Sequence, residues 1–485
     1  MDSAPPLILA HAFGARYDLP IPLKLFVLGG AAVVILSFLV AERRTVDASR
    51  TDPPADVSYV RPTGPGTMAG AVISLLVLGF LVAVGISGSQ VVSENIVPTS
   101  FWLIAWIIVP LACGMLGDWT QPVNPFAALA KLCDRPGLRK AVLGSDRPVG
   151  WPARLGWWPA VALYFATASG ELIFNKTVVQ PRVTAVALLV YAVVSAFCGL
   201  MFGRSWLERG EMFSVLYATW GRLGFFRFGA QGRRGFAGGL DVPFEPSPSR
   251  TAFVLLLLVS VNFDGLISTP HWQTIKSNLS LAAPNKSQQL ELFSVAVFLA
   301  IAVAVFAVFG LCAYAAARAA GSRSRLVPSL ADLLPSMLPI AFGYLIAHNL
   351  QYVLINSQLM LPLVGNPIGK ESWPIHLPYP FNDNFEVHNA FLPNSFYWYA
   401  GVVIIIAVHI VAVVIAHRHI TLRSKARADA RRGEYRWLVA MVAYTMLSLW
   451  LIAQPLVKEG GSSSSAEQAA QPAVSSVALP APAGR

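Results

Sequence analysis

The sequence predicts an all-α protein, a polytopic integral membrane bundle of about ten transmembrane helices with both termini on the outer side. Three observations lead to this fold class. Of the 485 residues, 55% are hydrophobic and only 13% are charged, whereas roughly a quarter of a soluble domain is charged. The apolar residues fall in blocks of about 20, the length that crosses a bilayer as a helix. The basic residues concentrate in every second connection between these blocks.

Each apolar block is assigned to one span because its length matches the hydrocarbon core of a bilayer. Two of the blocks, 291–317 and 328–356, exceed that length, so we expect them to tilt or bend. Pro335 and Pro339 predict a kink in the second of these, because proline removes a backbone hydrogen bond inside a helix. The predicted spans are 22–41, 67–88, 100–117, 155–174, 182–203, 251–270, 291–317, 328–356, 397–416 and 435–456.

The distribution of Lys and Arg predicts the orientation. Alternate connections hold 27 of the 36 basic residues, and basic loops stay in the cytoplasm. The net charge of +11 therefore reflects topology, and we expect the lipid bilayer, not nucleic acid, as the partner of these cations. The basic connections are 42–66, 118–154, 204–250, 318–327 and 417–436.

Four stretches lie outside the predicted spans but have a recognisable composition. The cytoplasmic segments 118–133 and 205–228 mix aromatic residues with cations, which is typical of amphipathic helices at the lipid surface. The second could also dip into the membrane. The loop 357–396 is predicted to cover the outer mouth of a membrane domain formed by residues 1–456. The Ser-, Ala- and Pro-rich tail 457–485 is predicted to be disordered.

One predicted span carries an unusual number of polar groups. The stretch FGYLIAHNLQYVLINSQ, residues 342–358, places five of them on one helical face at 100° per residue. Lipid would penalise each of them, so this face must contact protein or water. The five are Tyr344, His348, Gln351, Tyr352 and Asn356.

Two carboxylates lie inside other spans at a similar depth. Glu171 belongs to the fourth span and Asp264 to the sixth, and ionisable groups are rare in membrane helices because their burial is costly. In the predicted orientation both lie in the outer half of the membrane, as His348 does. The sequence therefore predicts a polar pocket that opens outward between spans four, six and eight.

Carboxylates and imidazoles together can bind a divalent metal, which lowers the pKa of a bound water. We predict His11, Asp264, His271 and His348 as metal ligands and zinc or copper as the metal. His11 is included because the residues before it are similar to the end of a signal peptide, so it could become the mature N-terminus. The alternative is a set of hydrogen bonds that pack the helices. For His409 in the ninth span, a proton path and a hydrogen bond to a neighbouring helix both stay open.

Four segments carry a resemblance to a known family: HAFGARYDLPIPL (11–23), FGRSWLERGEMFSVLYATWGRLGFF (202–226), NFDGLISTP (262–270) and AHNLQYVLINSQLMLPLV (347–364). On these segments the chain resembles a bacterial family of polytopic membrane proteins named fenitrothion hydrolase, after a membrane-associated enzyme that cleaves this organophosphorus insecticide. The resemblance covers most of the chain apart from the tail. It implies a multi-pass protein of the bacterial inner membrane with phosphoric triester hydrolase activity, of the aryldialkylphosphatase type.

Together, the pocket and the resemblance predict hydrolysis of apolar phosphorothioate triesters by a metal-activated water. Asp264 and His348 would be the first metal ligands, and Glu171 would orient or deprotonate the water. The alternatives are a transporter or metal-handling permease, and an assembly factor that passes metal to an exported partner. No nucleophile elbow, P-loop or dinucleotide fingerprint occurs in a strand–turn–helix context, which disfavours soluble hydrolases and nucleotide-driven pumps.

Overall fold

A computed structural model describes residues 23–42, 65–226, 235–282, 287–389, 391–424 and 426–453. Within these ranges the chain is helical, without a β-strand. Seven helices are long and apolar enough to cross a membrane, which supports a multi-pass membrane protein. The tail 457–485 and His11 lie outside the described residues.

Helices occur at all ten positions where spans are predicted. Three of them fall outside the seven: the first, the fourth and the last. The fourth contains only 15 residues, about 22 Å of helix, whereas the hydrocarbon core is about 30 Å thick. The number of crossings and the orientation therefore stay predictions. The helices named below are α1 (Leu23–Glu42), α2 (Pro65–Ser87), α3 (Ile96–Leu116), α4 (Pro125–Cys133), α5 (Pro136–Leu143), α6 (Trp158–Leu172), α7 (Pro181–Phe202), α8 (Arg204–Arg209), α9 (Met212–Trp220), α10 (Pro248–Ile267), α11 (Pro270–Ala282), α12 (Ser287–Ala319), α13 (Leu326–Asn356), α14 (Asn394–Arg423) and α15 (Arg427–Ala453). Two short helices, Asn175–Val178 and Met360–Gly365, are left unnumbered.

The centre of the bundle is α13, which packs against α10, α12 and α14. It continues through Pro335 and Pro339 as one helix, and its N-terminal half is almost completely buried. A helix that is apolar on all sides is typical of a bundle interior. In the C-terminal half, Tyr344 and His348 of the predicted polar stripe are buried, whereas Gln351, Tyr352 and Asn356 are partly exposed.

The described part of the segment 205–228 contains α9, which packs inside the helix bundle. Seven of the nine residues of α9 are buried in the bundle. Met212 at its start reaches Thr167, which lies about 14 Å along α6 from the first residue of that helix. From there the chain follows α3 toward the end of that helix. The Tyr217 hydroxyl donates to the Ala105 carbonyl, and the Phe225 amide donates to the Met115 carbonyl. The segment therefore dips into the bundle and returns.

The segment 118–133 makes a second excursion beside the first. Asn124 caps α4 and contacts Glu211, which caps α9. Further along α4, Ala130 packs against Gly199 near the end of α7, so closely that a Cβ on this glycine would lie 2.4 Å from the Ala130 Cα. Most of the aromatic residues described in the two segments are buried, whereas Phe225 and Phe226 are exposed.

The loop 357–396 is anchored at two points in the region that the structure describes. The Ile368 carbonyl accepts a hydrogen bond from the Ser89 amide at 2.7 Å. The Gln358 side chain bonds to the backbone of His388. These contacts tie the loop to the α2–α3 connection and to the end of α13.

Candidate functional site

Two adjoining cavities of about 50 Å³ and 60 Å³ lie at the predicted polar pocket. A liquid water occupies about 30 Å³, so each has room for one or two waters. Helices α3, α6, α10 and α13 line both cavities, and α9 closes the first with Leu216 and Trp220. The residues shared by both are Ile107, Glu171, Leu172, Asp264, His348 and Asn349.

The central feature is a direct contact between Asp264 on α10 and His348 on α13, joining Oδ2 to Nε2. The side chains are only 14% and 5% exposed, respectively. Burial of a charged or polar group is costly unless it has a partner. The contact supplies that partner and fixes the imidazole in one orientation. We refer to these two residues as the Asp264–His348 pair.

Glu171 lies across the same cavities and receives its own partner from α3. The Trp106 Nε1–H donates to Glu171 Oε2 at 2.5 Å. The Trp106 ring stacks on Tyr164, with the centroids 5.3 Å apart, and the Tyr164 hydroxyl bonds to Ser260 at 2.9 Å. This chain of contacts holds the carboxylate against the wall of the cavity.

Trp106 belongs to a π-helical stretch, Thr99–Ile108, in the middle of α3. Such stretches are rare and often mark functional sites. This stretch also presents Trp102 to the second cavity, where its Nε1–H donates to Thr184 at 3.3 Å. The wider π-helix turn changes which side chains face inward, so both indoles reach the polar pocket.

The structure brings Glu171, Asp264 and His348 together, while their catalytic and metal-binding roles stay predictions. His271 does not join them: it is exposed at the start of α11 and lies beside Trp450, with ring centroids 6.4 Å apart. Pro270 begins a new helix there, so the backbone changes course before His271. The fourth predicted ligand, His11, is outside the described residues.

Among the described residues, no group of three or more His, Cys, Asp or Glu side chains is arranged to hold a metal ion. Zinc sites use three or four protein ligands, whereas the pocket offers only the Asp264–His348 pair in direct contact. The zinc or copper site therefore stays a prediction, since His11 lies outside the described residues.

Asn356 of the α13 stripe and Asn349 at its edge bond within their own helix. Asn349 donates to the Leu345 carbonyl at 3.0 Å and Asn356 to the Tyr352 carbonyl at 2.9 Å. Such bonds to the preceding turn satisfy a polar side chain without a ligand. Asn349 and Tyr352 nevertheless line a cavity, whereas Asn356 does not.

Sequence reasoning missed Trp102, Trp106 and Trp220 as residues of the site. Each lies in an apolar segment where an aromatic side chain is expected to be core. The available signal was the indole N–H, a buried donor that requires a partner. The tryptophans in 100–117 and 205–228 indicated that buried indole donors are present, but not which acceptor each of them would contact.

Comparison of the chain with protein-family models, curated proteins and solved structures gives no match. Function must therefore be inferred from the chemistry of the site.

Proposed function

We propose that the protein is a membrane-embedded hydrolase of neutral, apolar phosphotriesters, with phosphorothioate triesters such as fenitrothion as the substrate class. The observation that carries this proposal is the buried Asp264–His348 pair beside water-sized cavities. A carboxylate that orients an imidazole is the arrangement that makes histidine an effective general base. The ester class comes from the family resemblance.

The contact atoms suggest the role of each nitrogen. An ionised carboxylate only accepts hydrogen bonds, so the proton of neutral His348 is on Nε2, facing Asp264. Nδ1 is then the basic nitrogen of the ring. A water at this nitrogen would lose a proton to it while its oxygen forms the new bond to phosphorus. The Asp264 carboxylate would stabilise the resulting imidazolium.

The reaction is completed by departure of the leaving group. As the new P–O bond forms, the bond from phosphorus to the aryl oxygen breaks, and nitrophenolate leaves with the electron pair. Glu171, held by Trp106, would orient the attacking water by accepting its second hydrogen bond. The cavities are too small for the ester, so the apolar substrate would dock beside them from the bilayer.

Purified protein in detergent tests this function with a nitrophenyl phosphorothioate triester. The wild type should release nitrophenolate, and Asp264→Asn and His348→Ala should each lower kcat/KM by about 10²-fold or more, the usual contribution of a general base. Asn356→Ala is the matched control, because Asn356 lies on the same face but bonds only to its own helix. Equal rates in all four proteins would contradict the proposal.

A chelator separates the two forms of water activation. Hydrolysis that persists in chelator supports activation by the Asp264–His348 pair alone. Hydrolysis that is lost in chelator and regained with zinc or copper supports the predicted metal, with ligands beyond the described cavity residues.

A transporter or metal-handling permease is the second candidate. The observation that favours it is the size of the cavities, which suits water or an ion better than an ester. Stoichiometric metal without ester hydrolysis would support this candidate or the assembly factor, and uptake by proteoliposomes would separate those two.

A further inference from the structure

Three polar atoms are buried together deeper in the bundle, on the inner side of the cavities. They are the Tyr344 hydroxyl on α13, Ser448 Oγ on α15, which lies beside that hydroxyl, and His409 Nε2 on α14, and none of the three makes a hydrogen bond of full geometry within the described residues. The three side chains are at most 1% exposed. An unsatisfied buried polar group costs about 1–3 kcal/mol, so three in one place require an explanation such as bound water.

The hydrogen bond of His409 defines the tautomer of its imidazole ring. Its Nδ1 lies 2.7 Å from the Ile405 carbonyl oxygen, which can only accept, so the ring hydrogen is on Nδ1. Nε2 of the neutral ring then carries a lone pair and can take a proton. The Tyr344 ring meets the imidazole edge to face, with centroids 6.3 Å apart and an interplanar angle of 83°.

The helices cross closely at this point. A Cβ added to Gly343 would lie 2.3 Å from the Val408 side chain, so the absence of a side chain allows α13 and α14 to approach. Gly343 precedes Tyr344 and Val408 precedes His409. The close approach therefore brings the hydroxyl and the imidazole to the same level of the bundle.

The polar groups continue toward the cavities. Ser448 lies near the hydroxyls of both Tyr344 and Tyr444, outside full hydrogen-bond geometry. Asn262 on α10 donates to the Tyr444 hydroxyl. Tyr344 is one turn from His348, about 6 Å along α13. The titratable groups nearest to His409 in this direction are therefore Tyr344 and Tyr444, and the carboxylates of the cavities lie further from it.

Polar groups also continue in the opposite direction. The Trp437 indole donates to the Ser336 hydroxyl at 3.3 Å, and both side chains are buried. Glu434, one turn from Trp437, accepts from His417 at 2.8 Å and from Thr421 at 3.1 Å. His417 is eight residues from His409, about 12 Å along α14.

The identity of the missing partners follows from the chemistry of the three atoms. All are neutral donors or acceptors, and a metal cation would require carboxylates or several ligands of one type. Water can both donate and accept, so it satisfies a hydroxyl and a bare imidazole nitrogen together. Waters bridging such groups form a chain along which protons can move.

We propose that Tyr344, Ser448 and His409 hold a water chain that conducts protons between the outer cavities and the His417–Glu434 pair at the other end of α14. A proton arriving from the cavity side binds His409 Nε2 and leaves from this nitrogen to the next water inward. The route goes beyond ester hydrolysis and does not depend on it.

Proton flux into proteoliposomes tests this proposal without any ester. Vesicles containing a trapped pH-sensitive dye receive an acid jump, with potassium and valinomycin to cancel the membrane potential. Wild-type vesicles should acidify several-fold faster than protein-free vesicles. His409→Leu, which fills the space but has no nitrogen, and Tyr344→Phe, which removes only the hydroxyl, should return the rate to the protein-free value.

Thr445→Val is the matched control, since Thr445 is equally buried but bonds to its own helix at Met441. It should conduct as the wild type does. Wild-type flux equal to that of protein-free vesicles would overturn the proposal, as would full flux in His409→Leu or in Tyr344→Phe. A parallel hydrolysis assay keeps the conclusions separate, because flux without hydrolysis would overturn only the proposed function.

Discussion

At the residue scale, the state of the pocket depends on how two carboxylates are held in a largely apolar interior. Asp264 contacts an imidazole, whereas Glu171 receives an indole N–H. The first partner can exchange protons and the second cannot, because an indole is a donor only. The two carboxylates therefore differ in what they can do: under the proposed function Asp264 would support a base, and Glu171 would stay an oriented acceptor.

Replacing Trp106 by Phe tests the importance of that orientation. The ring remains, but Glu171 loses its donor, and a hydrogen bond to a charged group contributes about 1.5–3 kcal/mol. Under the proposed function we expect kcat/KM for nitrophenolate release to fall by roughly 10- to 100-fold. Trp102→Phe is the control, because its indole donates to the neutral Thr184 hydroxyl. An equal loss in both variants would argue against a specific role for the Glu171 contact.

At the element scale, the two short helices α4 and α9 depend on one carboxylate. Glu211 is fully buried and caps α9 through the amides of Phe213 and Ser214. It also accepts from Asn124, the cap of α4, at 2.9 Å and from the Tyr191 hydroxyl at 2.5 Å. The positive ends of two helix dipoles stabilise its charge. Glu211 thus joins both re-entrant segments to α7.

Glu211→Ala should therefore destabilise the protein by roughly 3 kcal/mol, since it removes a cap and leaves buried donors unsatisfied. Glu208→Ala is the comparison within the same segment. Glu208 forms an exposed pair with Arg204, and such pairs contribute about 0.5 kcal/mol or less. The measurement is the free energy of unfolding in detergent. Similar stabilities of the two variants would contradict the structural role assigned to Glu211.

At the scale of the whole molecule, the orientation predicted from the basic loops can be measured. Ser372 lies in the loop 357–396 and Gly150 in a basic connection, and both are exposed. In intact spheroplasts, a membrane-impermeant maleimide should label Ser372→Cys but not Gly150→Cys, which should react only after permeabilisation. The wild-type protein is the control, because any labelling of it measures the reactivity of the four native cysteines. The reverse pattern would invert the topology and place the cavities toward the cytoplasm.

The positions of the helices could be predicted from the sequence because hydropathy is a local property. A block of about 20 apolar residues forms a helix in a membrane whatever its neighbours are. The polar face of α13 was predictable for the same reason, since 100° per residue places Tyr344, His348 and Tyr352 on one side. Glu171 and Asp264 could be singled out from the sequence because it is energetically costly to bury an ionisable group in a membrane helix.

The sequence by itself determined that this protein is a bundle of apolar helices with ionisable groups inside it. Only the tertiary structure decided that Asp264 contacts His348, that Trp106 contacts Glu171, and that α9 lies in the interior. The physical reason is that these pairs join separate helices. Their distances depend on how closely the helices approach, as at Gly343, and on the π-helical stretch of α3, neither of which a local pattern of hydropathy encodes.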